Sequence, residues 1–139
     1  MCMVYHIIDN VVPSAVAFTA SLRGGGRIDI GDNTPIKFNG YSSHTGFFTA
    51  PVAGTYGFYL TVKGANIPEV VHVGIYKSGR ILTRTEARGT AKDIYDKGSC
   101  FAITHLNVGD RVHARRISDG TSIDKWYTTA FSGFLITAD

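Results

Sequence analysis

The chain has 139 residues, of which 44% are hydrophobic and 18% charged, and its formal net charge is +3. That length fits one domain with its own hydrophobic core, and no run of about 18 apolar residues is present that would cross a bilayer as a helix. The surplus of Lys and Arg is scattered rather than blocked, which argues against nucleic-acid binding and membrane insertion and for soft attraction to anionic surfaces.

Met1 to Asn10 carry neither a basic leader nor a long apolar stretch followed by small residues, so no signal peptide is visible. Residues 1–14 read as a short lead-in and residues 15–139 as the domain. The first core strand runs from Val16 to Leu22, with Val16, Phe18, Ala20 and Leu22 on the inner face, and Gly24-Gly25-Gly26 breaks it. Short extended pieces follow at Arg27 to Ile30 and Pro35 to Phe38. Phe47-Phe48-Thr49 and Tyr56 to Val62 read as two strands hinged by Pro51-Val52-Ala53-Gly54. In the second, Tyr56, Phe58, Leu60 and Val62 share one face, and Gly57, Tyr59, Thr61 and Lys63 the other.

Val70 to Tyr76 alternates again, Ser78-Gly79 marks a turn, and Ile81 to Arg88 reads as a polar edge strand. Ser99 to Leu106, Asp110 to Ile117 and Trp126 to Thr137 complete the set. No segment shows helical spacing of apolar residues. Short, numerous strands without crossover helices predict an all-β, antiparallel sandwich or jelly roll. Ala130 to Ile136 is apolar on both faces, Phe131 and Leu135 on one and Phe134 and Ile136 on the other, so its second face calls for a covering subunit.

Two cysteines are too few for a disulfide framework, and Cys100, within a strand, reads as a reduced, buried, slowly reactive thiol. The five histidines form no His-Glu-x-x-His or Cys/His metal spacing, and no Gly-x-Ser-x-Gly elbow or phosphate-cradling loop occurs. Asp93 and Asp96 read as loop residues rather than an acid and base pair. The chain reads as a binding protein, not an enzyme.

Several motifs in fixed order resemble the C1q-type globular domain of the complement and tumour-necrosis-factor-like superfamily, and most closely its invertebrate members. Phe18 falls at the aromatic of the opening strand. Tyr41, Thr45, Gly46, Phe48, Pro51, Gly54, Tyr56 and Phe58 match the central signature, Gly109-Asp110-Arg111-Val112 the Gly-Asp-x-Val turn, and Phe131-Ser132-Gly133-Phe134-Leu135 the closing strand. Ala50 stands where many vertebrate members carry a cysteine, and no collagen repeat precedes the domain. The resemblance implies a jelly-roll β-sandwich of two antiparallel sheets, assembled as a secreted homotrimer. Its core and trimer positions would be Phe18, Tyr41, Phe48, Tyr56, Phe58, Phe131, Gly133, Phe134 and Leu135.

The resemblance further implies a soluble innate-immune recognition head or lectin for acidic glycans, with sialic acid as one candidate, or for anionic microbial surfaces. The alternative it implies is a cytokine-like or adipokine-like ligand for a protein receptor. Arginine's planar fork suits carboxylates and phosphates. Arg84, Glu86 and Arg88 share parity on one strand, joined by Arg80 if that strand extends, and the exposed parity of Asp110 to Ile117 offers Arg111, His113 and Arg115. The loop from Ser118 to Lys125, ending at Trp126 and Tyr127, adds Asp119, Lys125 and two aromatics. The candidate ligand set is therefore Arg84, Arg88, Arg115, Asp119, Lys125, Trp126 and Tyr127. Calcium occurs in some relatives, and Asp119 and Asp124 offer oxygens, but their spacing is not diagnostic and no metal is assigned.

Overall fold

The computed structural model describes residues 2–5, 15–31, 34–38, 46–65, 67–89, 96–118, 120–125 and 128–139. Among these residues there is no helix, and eleven strands form two antiparallel sheets. The strands are β1 (Cys2–Tyr5), β2 (Val16–Ser21), β3 (Arg27–Asp29), β4 (Phe47–Thr49), β5 (Gly54–Gly64), β6 (Val70–Lys77), β7 (Arg80–Arg88), β8 (Lys97–Leu106), β9 (Arg111–Ser118), β10 (Ser122–Asp124) and β11 (Ala130–Ala138). One sheet has the order β1-β2-β11-β5-β10-β3, with β8 pairing on β5, and the other the order β4-β9-β6-β7.

Alternation decides which residues meet between the sheets. Tyr56, Phe58, Leu60 and Val62 of β5 are fully buried, as are Val73 and Ile75 of β6 and Val112 and Ala114 of β9 across from them. The centre is aromatic. Phe18 stacks on Phe48 with ring centroids 5.0 Å apart and meets the edge of Phe131 at 5.3 Å, while Phe58 stacks on Phe131 at 5.8 Å. Each such side chain removed from water contributes on the order of 1.5–3 kcal/mol. The one polar atom among these rings is satisfied, because the Tyr56 hydroxyl donates to the Val52 carbonyl at 2.7 Å. Gly133 is what lets the rings close up: a Cβ there would lie 2.5 Å from Phe18 Cε1 and 2.7 Å from the Phe58 ring. Leu135 packs, partly buried, at the margin of this core.

The turns follow local chemistry. Ser78 and Gly79 both have positive φ, 49° and 77°, which is the two-residue primed hairpin joining Lys77 to its partner Arg80. Before β9, the Asp110 carboxylate accepts a hydrogen bond from the Asn107 amide at 2.9 Å, the turn role its position suggested.

Four details differ from the sequence reading. Cys2–Tyr5 adds a strand beside β2. Pro35 to Phe38 forms no strand; it runs along β9 with a bridge between Pro35 and Arg115 and a hydrogen bond from Ile36 N to Ala114 O. A register shift opposite Ile75 and Tyr76 pairs Thr83 with Ile75 but Ile81 with Tyr76, so Arg80 falls out of phase with Arg84. Cys100 is half-buried at the margin of the core rather than inside it, yet burial still pushes its thiol up to about 11, against a weaker opposing hydrogen bond with Thr83.

Candidate functional site

The two sheets present different outer faces. On the seven-stranded sheet, Tyr59, Phe101, Ile103, Phe134 and Ile136 are each 43–61% exposed. The register brings the first four together: Gly57 lies between Ile103 of β8 and Phe134 of β11, and Tyr59 lies opposite Phe101. Gly57 supplies the space, since a Cβ there would meet both the Phe101 and Phe134 rings at 3.0 Å. Those rings come within 6.4 Å, and Thr19 and Ser132 hydrogen-bond beside them at 3.0 Å. The result is a contiguous apolar patch of the kind that marks an interface. Phe134 belongs to it, whereas Phe131 lies wholly in the core. Phe101 and Ile103 were absent from the sequence-derived set, although their alternation with Ala102 carried the signal.

The four-stranded sheet's outer face is cationic and aromatic. Phe47, His113 and Tyr76 form one row across β4, β9 and β6, and Arg115, Gly74 and Arg84 form the next across β9, β6 and β7. The Arg111 guanidinium sits 4.2 Å from the Phe47 ring centroid, and that of Arg115 4.0 Å from the Tyr76 centroid. Such contacts hold an arginine in place without neutralising it. Arg84 and Arg88 are exposed further out on β7, with Glu86 between them, 3.6 Å from His72.

His113 corrects the sequence reading. Its strand parity points outward, but it is only 6% exposed, wedged edge-on to Phe47 at 4.7 Å and stacked on Tyr76 at 5.6 Å. Burial, with Arg115 and Arg111 adding repulsion, pulls its imidazole down to about 4, so the ring is neutral at pH 7.

Arg84, Arg88 and Arg115 thus share one face, while Lys125 follows β10 of the other sheet, near Gly24. Asp119, Trp126, Tyr127 and Tyr41 lie outside the described residues. Asp124 does not fit a calcium site: it is buried, ion-paired with Lys63 at 2.8 Å, and accepts the Lys125 amide at 3.0 Å. Among the described residues no three His, Cys, Asp or Glu side chains converge to hold a metal ion.

Comparison with known families agrees with this architecture: the C1q domain family matches residues 17–136. The chain belongs to the C1q domain family. Solved structures similar to this C1q domain include the globular domain of zebrafish complement 1qA protein, at 18% identity over 88% of this chain and 98% of that one, with a TM-score of 0.69. Eiger TNF from S. frugiperda is similar at 14% identity, 88% and 92% coverage and a TM-score of 0.68. Murine APRIL follows at 12% identity, 86% and 98% coverage and a TM-score of 0.62. At such identities the likeness establishes the shared jelly-roll fold. The C1q domain is a ligand or recognition module, and no helix of its described residues is long and apolar enough to cross a membrane.

Proposed function

We propose that this C1q domain acts as a secreted homotrimeric recognition head for acidic glycans or other anionic microbial surfaces. The contrast between its two outer faces carries this reading. The patch around Gly57 would be costly to leave in water and suits burial against copies of itself. The opposite face offers Arg84, Arg88, Arg111 and Arg115 against Glu86. Two of those guanidinium groups are already ordered on aromatic rings, so a carboxylate or phosphate ligand meets donors with little conformational freedom left to lose.

A glycan array probed with the intact protein, with and without chelator, tests the reading. The expected result is saturable binding to sialylated or uronic-acid glycans over their neutral counterparts, unaffected by chelator. Affinity should fall with salt as the Debye length shrinks from about 10 Å at 0.1 M to about 3 Å at 1 M. Arg84→Ala combined with Arg88→Ala should remove roughly 1.5–3 kcal/mol per direct charged hydrogen bond while leaving the fold intact. Silence on the array, with tight capture of a protein receptor instead, would replace this reading with the cytokine-like one.

A further inference from the structure

Where the β6–β7 hairpin and the turn before β9 come together beside β4, they leave a cavity of about 360 Å³. Its walls are Phe47, Ser78, Gly79, Gly109, Arg111 and His113, with Asp110 at the side. The volume falls within the range of about 300–1,000 Å³ typical of small-molecule sites.

The walls are chemically distinct. Gly79 and Gly109, at φ 77° and 87°, have nothing within 4 Å of where a Cβ would stand, so bare backbone borders the opening. Phe47 and His113 form an aromatic wall, their rings 4.7 Å apart. Arg111 rests one side of its guanidinium on Phe47, and no carboxylate among the described residues pairs with it. Asp110 does not compete for that guanidinium, since its carboxylate takes the Asn107 amide at 2.9 Å and faces Lys77 Nζ at 3.8 Å. His113 is only 6% exposed, and its Nδ1, buried without a hydrogen-bond partner among the described residues, is out of a ligand's reach. Because the ring is neutral at pH 7, what it presents to the cavity is aromatic surface rather than a charge.

We propose that this cavity binds the acidic sugar unit of a glycan. The carboxylate engages the Arg111 fork, and the sugar ring packs against the wall formed by Phe47 and His113. The inference rests on the glycan reading above and assigns its site. A free inorganic anion would leave the aromatic wall unused; a neutral sugar would leave the guanidinium unused.

The intact protein is titrated with methyl glucuronide and methyl sialoside, and in parallel with methyl glucoside and inorganic phosphate. Affinity is read by calorimetry and the site by the His113 ring resonances. An acidic sugar should bind and move those resonances, and the glucoside and phosphate should do neither. Arg111→Ala, at an exposed position, should weaken acidic-sugar binding roughly ten- to hundredfold, as expected for a lost charge-assisted hydrogen bond. Phosphate binding as well as the sugars, or unmoved His113 resonances with acidic sugar bound, would overturn the proposal. Acidic-glycan binding that survives Arg111→Ala but is lost in the Arg84→Ala, Arg88→Ala variant would overturn this site and leave the glycan reading standing. Absence of any acidic-sugar binding would overturn both.

Discussion

His113 shows how a single side chain can be charge-bearing in composition and neutral in fact. Its value of about 4 lies below the ordinary 6.5, so the unfolded chain binds the proton more tightly than the folded one. The stability conferred by the neutral ring is therefore complete above about pH 6.5 and is lost as pH falls through that window toward 4. At about 1.4 kcal/mol per unit, the loss is bounded near 3 kcal/mol. Urea midpoints at pH 7 and pH 4.5 should show the native protein losing more stability on acidification than His113→Phe; equal losses would contradict the buried, neutral assignment. Strand parity alone sent this residue outward. What the sequence could not display is the cross-strand row, in which Phe47 and Tyr76 close over the ring from neighbouring strands. Gly133, by contrast, stands among the core positions that the resemblance implied, and the structure supplies the reason, since a Cβ there would run into the Phe18 and Phe58 rings.

At the level of elements, the strands with clean alternation were readable. The core face of β5 and that of β2 follow directly from period-two burial, and β7 is the polar edge strand its composition indicated. The extra residue in β7 was not readable, since a bulge is set by pairing with β6 and leaves no mark in local composition; it is what separates Arg80 from Arg84. The stretch from Ser118 to Tyr127 was given a binding role as a loop on composition; Ser122–Asp124 within it forms the buried strand β10 instead, and Asp119, Trp126 and Tyr127 fall outside the described residues. The two faces of β11 make a sharp mutational contrast. Phe131→Asp puts an unpaired carboxylate among Phe18, Phe38 and Phe58 and should destabilise by several kcal/mol, giving unfolded or insoluble protein. A cooperative melt near that of the native protein would refute this placement of the core.

The whole molecule is a two-layer sandwich with an apolar outer face on one sheet and a cationic, aromatic face on the other. Periodicity in β11 disclosed Phe134, and the alternation of Phe101 and Ile103 about Ala102 carried a further signal; that these side chains and Tyr59 of β5 form one patch emerges only from the register of β5, β8 and β11. A trimer closed through this face would bury on the order of 2,000 Å² or more per pair, the obligate range. Ile103 is the most exposed side chain in the patch, at 61%, so Ile103→Asp should leave the monomer folded while removing the driving force for assembly. Multi-angle light scattering at micromolar concentration, run on the native protein and on Ile103→Asp, is the most direct test of the trimeric recognition head. The account predicts three times the monomer mass for the first and a folded monomer for the second; a stable native monomer, or a trimer indifferent to the substitution, would contradict it.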